Sequence, residues 1–255
     1  MEEITLVKVG GRIVEEDLSL KGLLEGFVEI EGHKVLIHGG GREATRLAER
    51  LGLVTQIING RRVTDLNMLR VAMMVYGGLV NKQIVTILQG LEVNALGLTG
   101  SDLGLIRSKK RTVKGIDYGY VGDIEEVNVT ILSMLIALGV VPVLAPLTHD
   151  GRGMMLNTNA DTIASKVAVA LTRAFDVTLI YCFEKCGVLR NESDESSLIP
   201  HLDRPSFTRY VSEGVITGGM IPKLENALDA IDSGVKKVVI TNIYGINGGP
   251  GTVIR

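Results

Sequence analysis

The sequence predicts an α/β protein, a three-layer sandwich in which helices cover both faces of a mostly parallel central sheet. Three observations carry that expectation. Short β-branched or aliphatic runs alternate with amphipathic stretches along the chain, several of those runs end in glycine turns, and 255 residues at 45% apolar and 22% charged suffice for a substantial core. In sheets of this kind ligands collect beyond the carboxyl ends of the strands, so the loops that follow strands are where function is sought.

The elements follow in order. ITLVKV reads as the first strand and Asp17 to Glu31 as a helix; KVLIH is the second strand, with Glu43 to Leu51 helical after it. A long helical pattern starts at Thr64. The uncharged stretch from Val127 to Thr148 is long enough to raise the question of a membrane span. Gly139, Pro142 and Pro146 divide it into a buried helix, NVTILSMLIALG, and a buried strand, VVPVLAP, so no membrane partner is expected. Helix Thr162 to Leu171, strand VTLIY, helix Pro222 to Ser233 and strand KKVVIT complete the alternation, and NESDESSLIPHLDRPS has the composition of an exposed loop. A soft boundary near Arg173 to Asp176 divides an N-terminal lobe, residues 1–173, from a C-terminal lobe, residues 174–255.

A net charge of -2 offers no basic excess for a phosphate backbone, which excludes nucleic acid as a partner class. The opening residues MEEITLVKVGG lack the basic start and cleavage site of a secretory signal, so a cytoplasmic location is expected. Cys182 and Cys186 have no further Cys or neighbouring His to complete a zinc set, and two reduced thiols are expected instead.

Four motifs carry chemistry. KVGG brings Lys8 and the Gly10-Gly11 pair to the end of the first strand, where backbone amides can approach an anion closely. IHGGGREA runs three glycines, Gly39 to Gly41, into a helix whose free amides and partial positive charge suit a phosphate or carboxylate. Its spacing is not G-x-G-x-x-G, and no Gly-Lys pair exists in the chain, so neither a dinucleotide fingerprint nor a P-loop is present. GRRVTD sets Arg61 and Arg62 before a helix, either solvated or gripping a carboxylate. TGGMIPKLENAL puts Lys223 in a first helical turn, where a cation opposes the dipole unless an anion sits nearby. In MMLNTNAD one of Asn157, Asn159 and Asp161 suffices as a helix cap, which leaves the others to solvate a loop or to face a ligand.

Taken in order, KVGG, HGGG, GRRVTD, YGGLVNK, LTGSDLGLI, DYGYVGDIEEVN, VPVLAP, LNTNAD, TGGMIPKLENAL and GTVI closely resemble the amino acid kinase family, and within it the branch that phosphorylates an N-acylated glutamate during arginine synthesis. GRRVTD and DYGYVGDIEEVN favour that branch over carbamate, aspartate, glutamate 5- or uridylate kinases. The resemblance implies the amino acid kinase fold, with the acylglutamate and dimerisation in the first lobe and the nucleotide in the second. It implies that Lys8 and Lys223 contact the transferring phosphoryl group and that Asp161 holds both ammonium groups. Gly40, Gly41, Arg62 and Asn157 would bind the acylglutamate. Gly10, Gly11, Gly187, Val188, Thr217 and Gly218 would border the nucleotide, and ATP would arrive with Mg2+ held mainly by its phosphates. Asn159 reads as a cap or loop residue, and His38 as a packed structural residue.

Three departures accompany the matches. Members usually follow the strand after Arg173 with an Asp-x-x-Gly segment beside the nucleotide, whereas IYCFEKCGVL is longer and has no Asp. The position after HGGG commonly holds Pro and here holds Arg42, a cation at a helix start that a succinyl carboxylate could explain; N-succinylglutamate is therefore expected as a substrate beside N-acetylglutamate. Few residues precede the first strand, so a homodimer insensitive to arginine is expected. The alternative reading is a catalytically silent, amino-acid-binding regulator of the same fold, which would have no use for Lys8, Asp161 and Lys223 together.

Overall fold

The computed structural model describes all 255 residues. In chain order they form β1 (Glu2–Val9), α1 (Gly11–Glu15), α2 (Asp17–Glu29), β2 (His33–His38), α3 (Gly41–Arg50), β3 (Ile57–Ile58), β4 (Arg61–Arg62), α4 (Leu66–Ala72) and, beyond a π-helical stretch at Met73–Val80, α5 (Asn81–Gly90). Then come β5 (Ala95–Leu98), β6 (Ile106–Lys110), β7 (Gly122–Val127), α6 (Val129–Ala137), β8 (Val141–Leu144), β9 (Leu147–His149), β10 (Met155–Asn157) and α7 (Ala160–Leu171). The chain ends with β11 (Phe175–Cys182), β12 (His201–Leu202), α8 (Arg204–Ser212), α9 (Met220–Asp232), β13 (Lys237–Thr241) and β14 (Thr252–Ile254). The α/β class and its mostly parallel strands match expectation.

Two compact units result, one from Met1–Lys34 with Ala164–Arg255, the other Val35–Ile163. The first joins distant segments because β1 lies parallel to β11 in unbroken register from Glu2↔Phe175 to Val9↔Cys182. A single cut near residue 173 does not describe this grouping, since nothing local in β1 marks where its partner strand lies. The strand order here is β12-β14-β13-β11-β1, with β13/β14 the antiparallel pair. Leu6, Val7 and Val9 are fully buried, as befits a parallel strand covered on both faces, and α2 seals one face with Leu20, Leu23, Leu24 and Phe27 at helical spacing.

In the second unit β2 and β5 flank β8 in parallel, beside a four-stranded sheet β10-β9-β6-β7 and the ribbon β3–β4. The hairpin β9–β10 is an addition to the expected strand-then-helix: Pro146 ends β8, and Asp150 accepts from the amides of Arg152 and Met154 to close a turn with Gly151 at φ +72. The acidic stretch expected as loop is also more ordered. Asp194 caps a short 3₁₀ turn, β12 is an edge strand, and Asp203 and Ser206 form a capping box for α8. Val127 to Thr148 contains α6 and β8, as divided above. The helix long and apolar enough to cross a bilayer is instead Leu66–Gly90, 25 residues. Its Asn81 is buried in the second unit and donates to Val143 O at 3.0 Å.

Candidate active site

In the first unit the expected lysines converge on one ring. Lys8 is 5% exposed at the end of β1, and its Nζ lies 4.9 Å from the centroid of Phe183, the residue after β11. Lys223, in the first turn of α9, brings its Nζ to 3.8 Å from the same centroid. Holding two ammonium groups at one aromatic ring concentrates positive charge where β1 ends, an arrangement suited to a phosphoryl group. Gly10 donates to Cys182 O at 2.9 Å, and a Cβ there would press to 3.3 Å on that carbonyl and on the Phe183 ring. Gly11 opens α1. Gly187 has no room for a side chain, since a Cβ would fall 2.5 Å from Leu198 and 2.7 Å from Thr252 Oγ1, and Val188 donates its amide to Thr252 Oγ1 at 2.8 Å. Thr217 and Gly218 are exposed just before α9, with Gly218 at φ +56. Both cysteines are free and buried, and burial pushes the Cys182 thiol up to about 12, which leaves it no nucleophilic role.

In the second unit β2 delivers HGGG to the start of α3. Gly40 sits at φ +144, and a Cβ there would lie 3.1 Å from the Tyr76 ring. Arg62 reaches over the turn, its Nη2 donating to Gly41 O at 2.7 Å and to Thr45 Oγ1 at 2.8 Å, while its Nη1 is buried with no acceptor. Asn157, 7% exposed, donates to Thr64 Oγ1 at 3.0 Å, and Thr64 in turn donates to Arg62 O at 2.8 Å. The structure thus gathers Gly40, Gly41, Arg62 and Asn157 around one short network. Asn159 caps α7 through Thr162 N at 3.0 Å, and Asp161 lies in that helix's first turn. Arg42, one residue beyond the glycines, is exposed. His38 is fully buried; its Nε2 accepts from Asn81 Nδ2 at 3.1 Å, so Nδ1 carries the proton donated to Gly39 O at 2.7 Å. That is a structural role for His38, holding the glycine turn.

Sequence reasoning missed Phe183 and the surroundings of Arg61. Phe183 falls in the segment that departs from the family pattern, so no motif pointed to it. Arg61 was visible as half of a pair and Tyr118 and Asp123 lie within the DYGYVGDIEEVN motif, but Arg111 has no motif of its own, and nothing local in either motif shows that these side chains meet.

Comparison with known proteins gives three likenesses. Residues 3–242 match the model of the amino acid kinase family. Two acetylglutamate kinases resemble the chain throughout: that of Bacteroides fragilis is 61% identical over 254 residues, 100% of this chain and 97% of the relative, and that of Phocaeicola vulgatus is 60% identical over 254 residues, 100% and 99%. Among solved structures, smu.665 from Streptococcus mutans superposes with a TM-score of 0.79 at 29% identity, covering 98% of each chain.

Proposed function

From the premise that the chain belongs to the amino acid kinase family, we propose that it transfers the γ-phosphoryl group of ATP to the side-chain carboxylate of N-acetyl-L-glutamate, forming an acyl phosphate in arginine biosynthesis. The observation that carries this reading is the end-to-end likeness, at 60% identity and above, to acetylglutamate kinases. The chemistry suits the residues. A glutamate side-chain carboxylate, with a reference pKa of about 4.3, is ionised at neutral pH, so attack on phosphorus needs charge neutralisation and alignment but no general base. Lys8 and Lys223 supply positive charge to the phosphoryl group, with Asp161 as the acid that balances them. Gly40, Gly41, Arg62 and Asn157 hold the acylglutamate; the buried Nη1 of Arg62 supports this, because a guanidinium N–H left without an acceptor calls for a carboxylate.

Gly10, Gly11, Gly187, Val188, Thr217 and Gly218, all in the unit of Met1–Lys34 with Ala164–Arg255, border the nucleotide, and the unit Val35–Ile163 serves the acylglutamate and dimerisation. Mg2+ would arrive on the ATP phosphates and supply charge neutralisation there. A homodimer is supported by the apolar side chains Leu66, Met73, Met74 and Leu79, all exposed along one helix. A cytoplasmic location is supported by two free thiols.

The test is direct. Purified protein, ATP, Mg2+ and N-acetyl-L-glutamate with hydroxylamine should yield the hydroxamate of the acyl phosphate, in proportion to ADP formed. Absence of hydroxamate with every acylglutamate tried would overturn the reading.

A further inference from the structure

The ribbon β3–β4 ends in two consecutive arginines, and the reading above employs only Arg62. Arg61 is half-buried, and its Nη1 is shut away from solvent with no acceptor. Backbone bonds bring its strand against the segment around Tyr118: Thr64 N donates to Tyr118 O at 2.9 Å, Tyr120 N to Thr64 O at 2.6 Å, and Arg111 N to Val121 O at 2.7 Å. Arg111 donates through Nη1 to Asp123 Oδ1 at 2.6 Å and lies 5.4 Å over the Tyr118 ring, yet its Nε is also buried without an acceptor. The two guanidinium groups feel each other. Burial first, then the charge of Arg111, pulls Arg61 below its usual range, and the neighbouring Asp123 and Tyr118 offset only part of that.

Two cations therefore share one carboxylate, and each keeps a buried N–H that nothing in the chain accepts. A buried donor of this kind is unfavourable unless a ligand supplies the acceptor, and a planar carboxylate matches a guanidinium fork. The place is continuous with the acylglutamate residues, since Asn157 donates its backbone amide to Tyr120 O at 2.9 Å and its side-chain amide to Thr64. N-acetyl-L-glutamate cannot fill it. Its two carboxylates are taken, one as phosphoryl acceptor and one by Arg62, and its acyl group ends in a methyl.

We infer that Arg61 and Arg111 form a carboxylate subsite for the far end of a dicarboxylic acyl group, so that an N-acyl-L-glutamate such as N-succinyl-L-glutamate is the preferred substrate. This inference rests on the acylglutamate kinase reading above. It moves the role that the sequence suggested for Arg42 to the buried pair, because Arg42 is exposed and solvent satisfies its N–H groups.

The experiment compares kcat/KM for N-acetyl-, N-succinyl- and N-succinamoyl-L-glutamate, the last a neutral amide of the same size, in wild type, Arg61→Leu and Arg42→Ala. Wild type should favour the succinyl compound over the amide by about tenfold or more, a comparison that needs no variant to fold. Arg61→Leu should lower the succinyl-to-acetyl ratio about ten- to a hundredfold, while Arg42→Ala leaves that ratio within about twofold. Wild type preferring acetylglutamate, Arg61→Leu lowering both substrates alike, or Arg42→Ala carrying the loss would each overturn the subsite. If no acylglutamate is turned over, the kinase reading fails by itself. Calorimetry of N-succinyl-L-glutamate without ATP then decides the subsite: binding weakened about tenfold by Arg61→Leu upholds it, and equal or absent binding refutes it.

Discussion

Replacing His38 by Gln isolates a pH-dependent part of the protein's stability. Native His38 is fully buried and neutral, one ring nitrogen accepting from Asn81 and the other donating to Gly39 O. Burial, with the nearby Lys82 adding to it, holds the imidazole at about 4 against an ordinary value of 6.5. Between those two values the unfolded chain binds a proton that the native state refuses. The contribution is therefore complete above about pH 7 and is lost as pH falls through 6.5 toward 4. At about 1.36 kcal/mol per unit of pKa, the loss reaches about 2 kcal/mol at pH 5 and about 3.4 kcal/mol well below pH 4. Urea unfolding of wild type and His38→Gln at pH 8, 7, 6 and 5 reads this directly, since the Gln amide stays uncharged throughout. The wild-type curve should drop by about 2 kcal/mol more than the variant's between pH 8 and 5. Parallel curves would refute a buried neutral imidazole.

Lys8→Ala and Lys223→Ala should each lower kcat about a hundredfold or more with little change in KM, because their charge matters most where negative charge moves; near-normal turnover of a folded variant removes that lysine from the catalytic set. Phe183→Ala removes the ring that both lysines share and should lower kcat about two- to thirtyfold, the range of one such contact, with acyl phosphate formation as readout. Sedimentation of the wild type should give a dimer that Leu79→Lys shifts toward monomer; a hexameric wild type, or a dimer indifferent to the substitution, contradicts the assignment of that helix to the interface.

Parallel strands are easy to read here because they are buried on both faces: KVLIH and KKVVIT are nearly continuous apolar runs, and the glycines of KVGG and HGGG mark where each strand's carboxyl end opens. The pairing of β1 with β11 was not legible, since register between strands far apart in sequence leaves no local mark. The hairpin β9–β10 was hidden because its strands are three residues each, too short for an alternation to show. Among the candidate site residues Lys8 and Arg62 were marked mainly by the family resemblance, whereas Lys223 stood out through misplaced charge and Asn157 through surplus caps, which is physics visible in one dimension. Phe183 and Arg111 did not, because an apolar residue after an apolar strand, and an Arg after two lysines, look ordinary until the chain folds around them.

The π-helical stretch Met73–Val80 has a consequence for how this helix tolerates change in length. About 4.4 residues per turn, against 3.6 in an α-helix, amounts to one surplus residue wound between α4 and α5. Tyr76 and Val80, four residues apart within this stretch, both lie against Gly40, a Cβ there falling 3.1 Å from the first and 3.4 Å from the second. Deleting one residue here would let the rod close into regular α-helix with both ends undisturbed. The side chains wound inside the stretch, Tyr76 and Val80 among them, would then turn by up to about 100° while those of α4 and α5 keep their directions. A natural indel at this point would therefore leave the scaffold standing and disengage the aromatic wedge behind the glycine turn.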